Sequence, residues 1–426
     1  MTHACRNLVS IALLMAVTAA ARADNWPQWR GPTNNGICSE TGLPTKWSTT
    51  ENIAWTLAMP GSGASTPAIW GDRLFITSEA GSDIIVLAIS TSGKELWRQK
   101  LGRATPKARI DEGNGASASI STDGKHLWAF SGSGELACYD LDGKQVWIVD
   151  LQKRYGKFDI QFGMHSTPVL HKDRLYLQLI HSGAAVVAAL NKETGEGVWK
   201  VERLSDGRAE CEHSYASPVI WTNGTDEYLI THGNDYAIAH RLSDGQEIWR
   251  VGGLNPKDRY NATLRFVASP VATPELIVIP TAKKGPVVGL KPNATGAVNP
   301  GSPHEQWRMP KNTPDVPSPL VHDGIVYLVG ESGTLICLDA KTGQEHYNQK
   351  LFKNNVRHRA SPVFADGKIY VTSRDEGTIH VVKAGPKYEL LATNKLPDIF
   401  AASPAISNGR IYLRGFKTLC AIGGVK

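Results

Sequence analysis

The chain contains no run of five or six like charges and no apolar stretch approaching 18 residues. The first absence argues against nucleic-acid binding, and the second against a membrane-spanning helix. There is no C-x-x-C or H-x-x-x-H spacing to hold a metal, so no metal site is expected. No G-x-S-x-G turn marks a nucleophile, and no glycine-rich loop opens a helix to cradle phosphate. Six cysteines in 426 residues, none closely spaced, do not form a disulfide framework.

The N-terminus carries an export signal. Residues 8–21 form a short apolar run, preceded by His3 and Arg6. Ala21-Arg22-Ala23 then has the small-x-small form of a cleavage site. Cys5 precedes the apolar run, so it is not a lipoprotein cysteine. Three segments are therefore expected: a signal peptide over 1–23, a leader over 24–50 and a folded body over 51–426. The mature chain should be soluble and periplasmic or secreted. Of the formal +6 charge, Arg6 and Arg22 supply two, which leaves a mildly basic mature chain. Of the five mature cysteines, Cys38 and Cys211 are the one loop-to-loop pair worth testing as a disulfide, and they are left open. Cys138, Cys337 and Cys420 are read as equivalents at one buried repeat position.

What the chain has is glycine, proline and tryptophan: 41, 24 and 12 of them. They recur with a period. A small-hydroxyl–Pro step appears at Thr66-Pro67, Thr167-Pro168, Ser217-Pro218, Ser269-Pro270, Ser318-Pro319, Ser361-Pro362 and Ser403-Pro404. Ser119-Ile120 keeps the serine without the proline. A glycine turn followed by an aromatic strand keeps the same beat, ending at Trp97, Trp147, Trp199, Trp249, Trp307 and Tyr347, and decays near Leu391. Alternating strands separated by Asp-Gly, Asn-Gly or Ser-Gly lie between the markers. Each unit of about 48 residues has the size of a four-stranded propeller blade. Proline suits the first residue of an inner strand, which is an edge facing the channel. A β-solenoid or a pair of sandwiches is the competing architecture.

Chain closure favours the propeller. Only three strands follow Ser403-Pro404, whereas an unattached strand surrounds Trp55. Pairing them yields an all-β, eight-bladed propeller of four-stranded antiparallel blades, closed by an N-terminal strand joining the last blade. Closure also removes sheet edges that would invite aggregation.

The endings "NKETGEGVW" and "DLDGKQVW" resemble the tryptophan-docking motif of the quinoprotein (PQQ-like) eight-bladed propellers. The opening "NWPQWRGPTNNG" is similar to that of exported PQQ-like repeat proteins. The resemblance covers residues 50–426. It implies that Trp55, Trp97, Trp147, Trp199, Trp249 and Trp307 pack between neighbouring blades. Two branches differ in function. In the dehydrogenase branch, the resemblance implies PQQ with Ca²⁺ at the channel mouth and Asp315 or Glu212 as base. Many members of that branch stack adjacent cysteines on the quinone, and no two cysteines here are adjacent. The length, without large insertions, is similar to the BamB-like branch. That branch implies a non-enzymatic, cofactor-free scaffold for envelope proteins or exported polypeptides, here read as a monomer. BamB-type proteins are typically lipid-anchored, and this chain has no lipobox.

Segments just before each inner strand should gather at one mouth of the channel. They carry His165, Glu212, His213, Tyr215, Arg265, Asp315, Arg357, His358 and Arg359. In "VRHRA" the alternation of extended chain separates Arg357 and Arg359 from His358. Such a mouth is either a site for a small anion or acidic peptide, or a solvated funnel whose polar groups satisfy one another. Trp26 and Trp29 lie outside the repeat and either clamp the leader to the propeller or contact a partner.

Overall fold

The computed structural model describes residues 25–105 and 113–424. The export signal at 1–23 lies outside the described residues. Strand-rich segments fold into eight sheets built on four antiparallel strands, one of them with a fifth strand added in parallel. We number the blades in chain order: 68–103, 121–150, 169–202, 219–251, 271–309, 320–350, 363–395 and 405–422. Inner strands of successive blades touch from blade 1 to blade 7, Ser361 N–H of blade 7 donates to Ser403 Oγ of blade 8, and the first strand, Ala68–Trp70, meets the last, Ala405–Ser407. The ring is therefore closed.

Closure follows the expectation from sequence. Strand Ile53–Ala58 pairs antiparallel with Thr418–Ile422, and Trp55 lies opposite Ala421. The outer strand of each blade carries a bulge, which in every blade but the seventh sets an aromatic residue opposite a small one. Trp97 faces Ala88, Trp147 faces Cys138, Trp199 faces Ala189 and Trp307 faces Gly289. An indole needs that room, because a large neighbour across the ladder would displace it.

The docking is uniform. The indole N–H groups of Trp55, Trp97, Trp147, Trp199 and Trp307 donate to the carbonyls of Thr91, Leu141, Lys192, Leu242 and Ala340 in the next blade, at 2.8–3.0 Å. Each ring covers a turn glycine of that blade. A Cβ on Gly93, Gly143, Gly195, Gly245 or Gly343 would lie 2.7 Å from the ring, and all five have positive φ. Glycine is thus required twice over, by backbone conformation and by space.

Four details correct or complete the sequence reading. Trp249 does not dock on the next blade's turn. Blade 5 has a longer turn, and its segment Gly296–Val298 pairs parallel with Glu247–Val251, opposite Trp249. That addition buries Trp249 fully, and its indole N–H has no partner. Cys420 faces Thr56, not the aromatic, so it is one residue out of register with Cys138 and Cys337, and Ala421 is the true equivalent. In blade 7 the docking position is Ala392, opposite Val381, with Leu391 in the bulge. Trp47 of the leader packs against Tyr370 there, with centroids 6.3 Å apart, much as Trp199 packs against Tyr176 at 6.0 Å. Finally, Cys38 and Cys211 are both free and lie in separate core clusters.

The leader crosses the channel's far end. Trp26 bridges to Ile69 of blade 1, and Pro27 accepts from Thr122 of blade 2. The chain then reaches blade 7, where Ile37 bridges to Phe364. Midway, the buried Arg30 guanidinium donates to the carbonyls of Ser318, Pro319 and Asn35. Burial lowers its pKa to about 9. Trp26 is wholly buried against blade 1, and Trp29 lines the channel.

Candidate functional site

The recurring hydroxyls form a ring. The backbone N–H of Thr66 donates to Oγ of Ser119, and that of Ser119 to Oγ1 of Thr167. The relay continues through Ser217, Ser269 and Ser318. It ends through Ser361 at Ser403. The seven links measure 2.8–3.0 Å. Each hydroxyl thereby satisfies an inner-strand N–H of the preceding blade, which a channel-facing edge would otherwise leave unpaired. The circuit is open at one point, where Thr66 Oγ1 is buried without a partner.

All eight hydroxyl residues line one cavity of about 430 Å³, with Trp29 of the leader also in its wall. The space is a cup: the leader crosses one end, and the other opens at the expected mouth. Of the candidate residues, His165, Tyr215, Arg265, Asp315 and Arg359 line it. So do Lys283, Glu331 and Arg374, which no repeat marker flagged. These three sit on turns between second and third strands. In a meander that turn lies at the end where the first strand begins, so strand order alone places it at the mouth. Phe162 and Phe416 add aromatic wall.

Four candidates are not in the cup. His358 is fully buried, its Nδ1 lying 2.8 Å from the Val356 carbonyl, and burial lowers its pKa. His213 is buried with Nε2 2.9 Å from Ser182 Oγ, and burial lowers its pKa too. Arg357 turns outward to pair with Asp375 at 2.8 Å. The alternation of extended chain accounts for one of these: with Arg359 in the cup, the adjacent His358 turns into the core. Glu212 does not line the cup either.

The mouth is a paired network. Arg265 meets Glu210 at 2.5 Å and lies over the Phe162 ring at 4.8 Å. Arg359 meets Glu331 at 2.9 Å, and Arg374 pairs with Asp375. Lys283 donates from Nζ to Thr263 Oγ1 and from its backbone N–H to Asp315. The Asp315 carboxyl is held above the usual range, first by burial and then by Glu331, against the pull of Arg265 and Arg359. Burial also pushes the Tyr215 hydroxyl up to about 12.

A second cavity of about 720 Å³ adjoins the cup and shares Lys283, Asp315 and Glu331 with it. It extends over blades 5 to 7 and adds Lys284 and Arg357, together with amides such as Asn312, Asn348 and Asn355. Cup and groove are continuous.

Among the described residues, one group of three ligand-type side chains converges: Asp123, His126 and Glu193. It lies on the opposite face, and Lys192 Nζ already sits 2.7 Å from Asp123. The Lys192 contact and backbone N–H bonds hold the Asp123 carboxyl below its ordinary value despite partial burial. An ammonium there does the work of a cation. Among the described residues the cup offers no comparable group. Its two carboxylates, Asp315 and Glu331, both face cations, and the five cysteines are buried singly. These residues do not fit a quinone seated with a divalent ion. No helix among the described residues is long and apolar enough to cross a membrane.

Comparison with known proteins agrees with this geometry. The family model described as outer membrane protein assembly factor BamB matches residues 82–288 and 292–385. The BamB of Moranella endobia (strain PCIT) is 22% identical over 355 residues, covering 82% of each chain. The crystal structure of BamB from Moraxella catarrhalis superposes with a TM-score of 0.62 at 13% identity, over 87% of this chain and 97% of that one. The quinohemoprotein alcohol dehydrogenase of Comamonas testosteroni superposes with a TM-score of 0.70 at 12% identity, over 94% and 81%. The structural likenesses establish a fold common to scaffolds and dehydrogenases. The sequence match extends over well more than half of the chain, and on it the chain belongs to the BamB family of PQQ-like eight-bladed propellers.

Proposed function

We propose that this protein is a non-enzymatic, exported scaffold that binds envelope proteins or exported polypeptides at the channel mouth. The observation that carries the reading is the pairing of charge in the cup. The arginines lining it already meet Glu210, Glu331 and Asp375. Neither of its carboxylates is left to seat a divalent ion, and the guanidiniums are not free to clamp a multiply charged cofactor. The family match supports the same reading. A second contact mode is available at the rim. Leu96, Val146, Ile148 and Val198 are exposed on the outer strands of blades 1 to 3. An extended segment can add to such an edge, as Gly296–Val298 does to blade 4.

The test has two arms. Purified protein is mixed with PQQ and Ca²⁺, and its absorbance and dye-linked alcohol or sugar oxidation are recorded. Immobilised protein is also incubated with envelope extract from its host. The reading predicts no turnover together with specific retention of envelope polypeptides. Bound quinone with turnover would overturn it.

A further inference from the structure

The hydroxyl ring has donors to spare. A serine or threonine hydroxyl that accepts one N–H still carries its own proton. Among the described residues, none of the seven accepting hydroxyls donates to a protein acceptor, and Thr66 Oγ1 makes no bond at all. All eight residues are at most 7% exposed and line the same cavity. A buried polar group left unsatisfied costs about 1–3 kcal/mol, so eight O–H groups around one cavity call for an acceptor inside it. A carboxylate is acceptor-only and suits such a ring better than any group that must also donate.

Charge points the same way. Among the described residues, Arg265, Arg359 and Arg374 of the cup are met by Glu210, Glu331 and Asp375, whereas Lys283, which also lines the cup, is in no ion pair. The groove leading outward adds Lys284, also in no ion pair among the described residues, and Arg357, which Asp375 meets. Its side-chain amides are suited to the peptide bonds of an extended chain. A free small anion would fill the cup and leave the groove unused.

We infer that the hydroxyl ring seats a carboxylate of an acidic, extended polypeptide, whose remaining length lies along the groove over blades 5 to 7. This rests on the scaffold reading and names the chemistry of the partner. Thr66 Oγ1 is the informative atom, because replacing Thr66 by valine removes a donor without breaking a hydrogen bond within the protein. Lys284 is the informative cation: it is exposed and lines the groove alone.

The experiment uses a fluorescein-labelled hexapeptide of aspartate and glutamate, read by anisotropy, with hexalysine and succinate as unlabelled competitors. Wild type, Thr66→Val and Lys284→Glu are compared, each checked for an unchanged melting temperature. The inference predicts binding by wild type and a loss of about tenfold in each variant, as expected for a hydrogen bond to a charged acceptor. Succinate should compete only at much higher concentration, and hexalysine should not compete. Affinity unchanged in both variants would overturn the inference. So would succinate competing as well as unlabelled peptide, which would mark a small-carboxylate site. Retention of envelope proteins by Thr66→Val, measured in parallel, separates the two claims. Full retention with no acidic-peptide binding would sink the carboxylate seat and leave the scaffold standing.

Discussion

Replacing Ser269 by alanine tests the ring as a structural device. Its Oγ accepts the Ser217 N–H at 2.8 Å, and both residues are at most 5% exposed. Alanine leaves that N–H buried without an acceptor, at a cost of about 1–3 kcal/mol. Thr66→Val is the matched control, since Thr66 Oγ1 accepts nothing and its loss strands no donor. Unfolding entropy of about 2 cal/mol/K per residue gives roughly 0.8 kcal/mol/K for a chain of this length. A 2 kcal/mol loss then lowers the melting temperature by about 2–3 °C. Differential scanning calorimetry on both variants reads this directly. The reasoning predicts a drop for Ser269→Ala and a shift near zero for Thr66→Val. Equal shifts would refute it, because the ring would then be an incidental alignment and not a set of working bonds.

Further expectations concern the core. Gly195→Ala puts a Cβ against the Trp147 ring at a φ of +70°. It should destabilise by at least the 1–2 kcal/mol of left-handed strain and shift tryptophan fluorescence to the red; an unchanged spectrum would contradict the docking. Burial depresses the pKa of His232 to about 3 and those of His240 and His380 to about 4. As pH falls from about 6.5 the unfolded chain takes up these protons first. Stability held above that range is therefore lost progressively toward pH 4, on the order of 1.4 kcal/mol per pH unit for each histidine. A melting temperature flat between pH 7 and 4.5 would argue otherwise. All five described cysteines are buried and free, and burial pushes Cys138 and Cys337 up to about 12. A thiol reagent should modify none of them in the native protein and all of them in denaturant; rapid native labelling would show that these positions open.

The ring was legible because its parts repeat. The hydroxyl–Pro beat counts the blades, and the orphan strand at Trp55 locates the closure. Features that occur once were not legible. Trp47 fills the place left by Ala392, and no periodicity points to a leader residue. The extra strand Gly296–Val298 arises from a longer turn, and a turn's length does not tell what it pairs with. At the site, the segments before the inner strands correctly contributed Arg265, Asp315 and Arg359 to the cup. They also suggested His213 and His358, which register with the core. The cations Lys283 and Arg374 come from turns of varied sequence, so their position follows from topology alone. The pairing of the mouth's arginines depends on Glu210, Glu331 and Asp375, and side-chain distances decide it where sequence spacing does not. The serine of each repeat looked like the companion of a proline. Its role as acceptor for the preceding blade emerges only when eight strands stand in a circle.

The scaffold reading places the contact surface on the mouth face. Site-specific photo-crosslinking tests that placement: a benzoylphenylalanine is introduced at Lys284 beside the groove or at Asp142 on the opposite face, and adducts are recovered from the host envelope. The account predicts polypeptide adducts from position 284, lost on competition with acidic peptide, and few or none from position 142. Equal adducts from both faces, or adducts from position 142 alone, would contradict it.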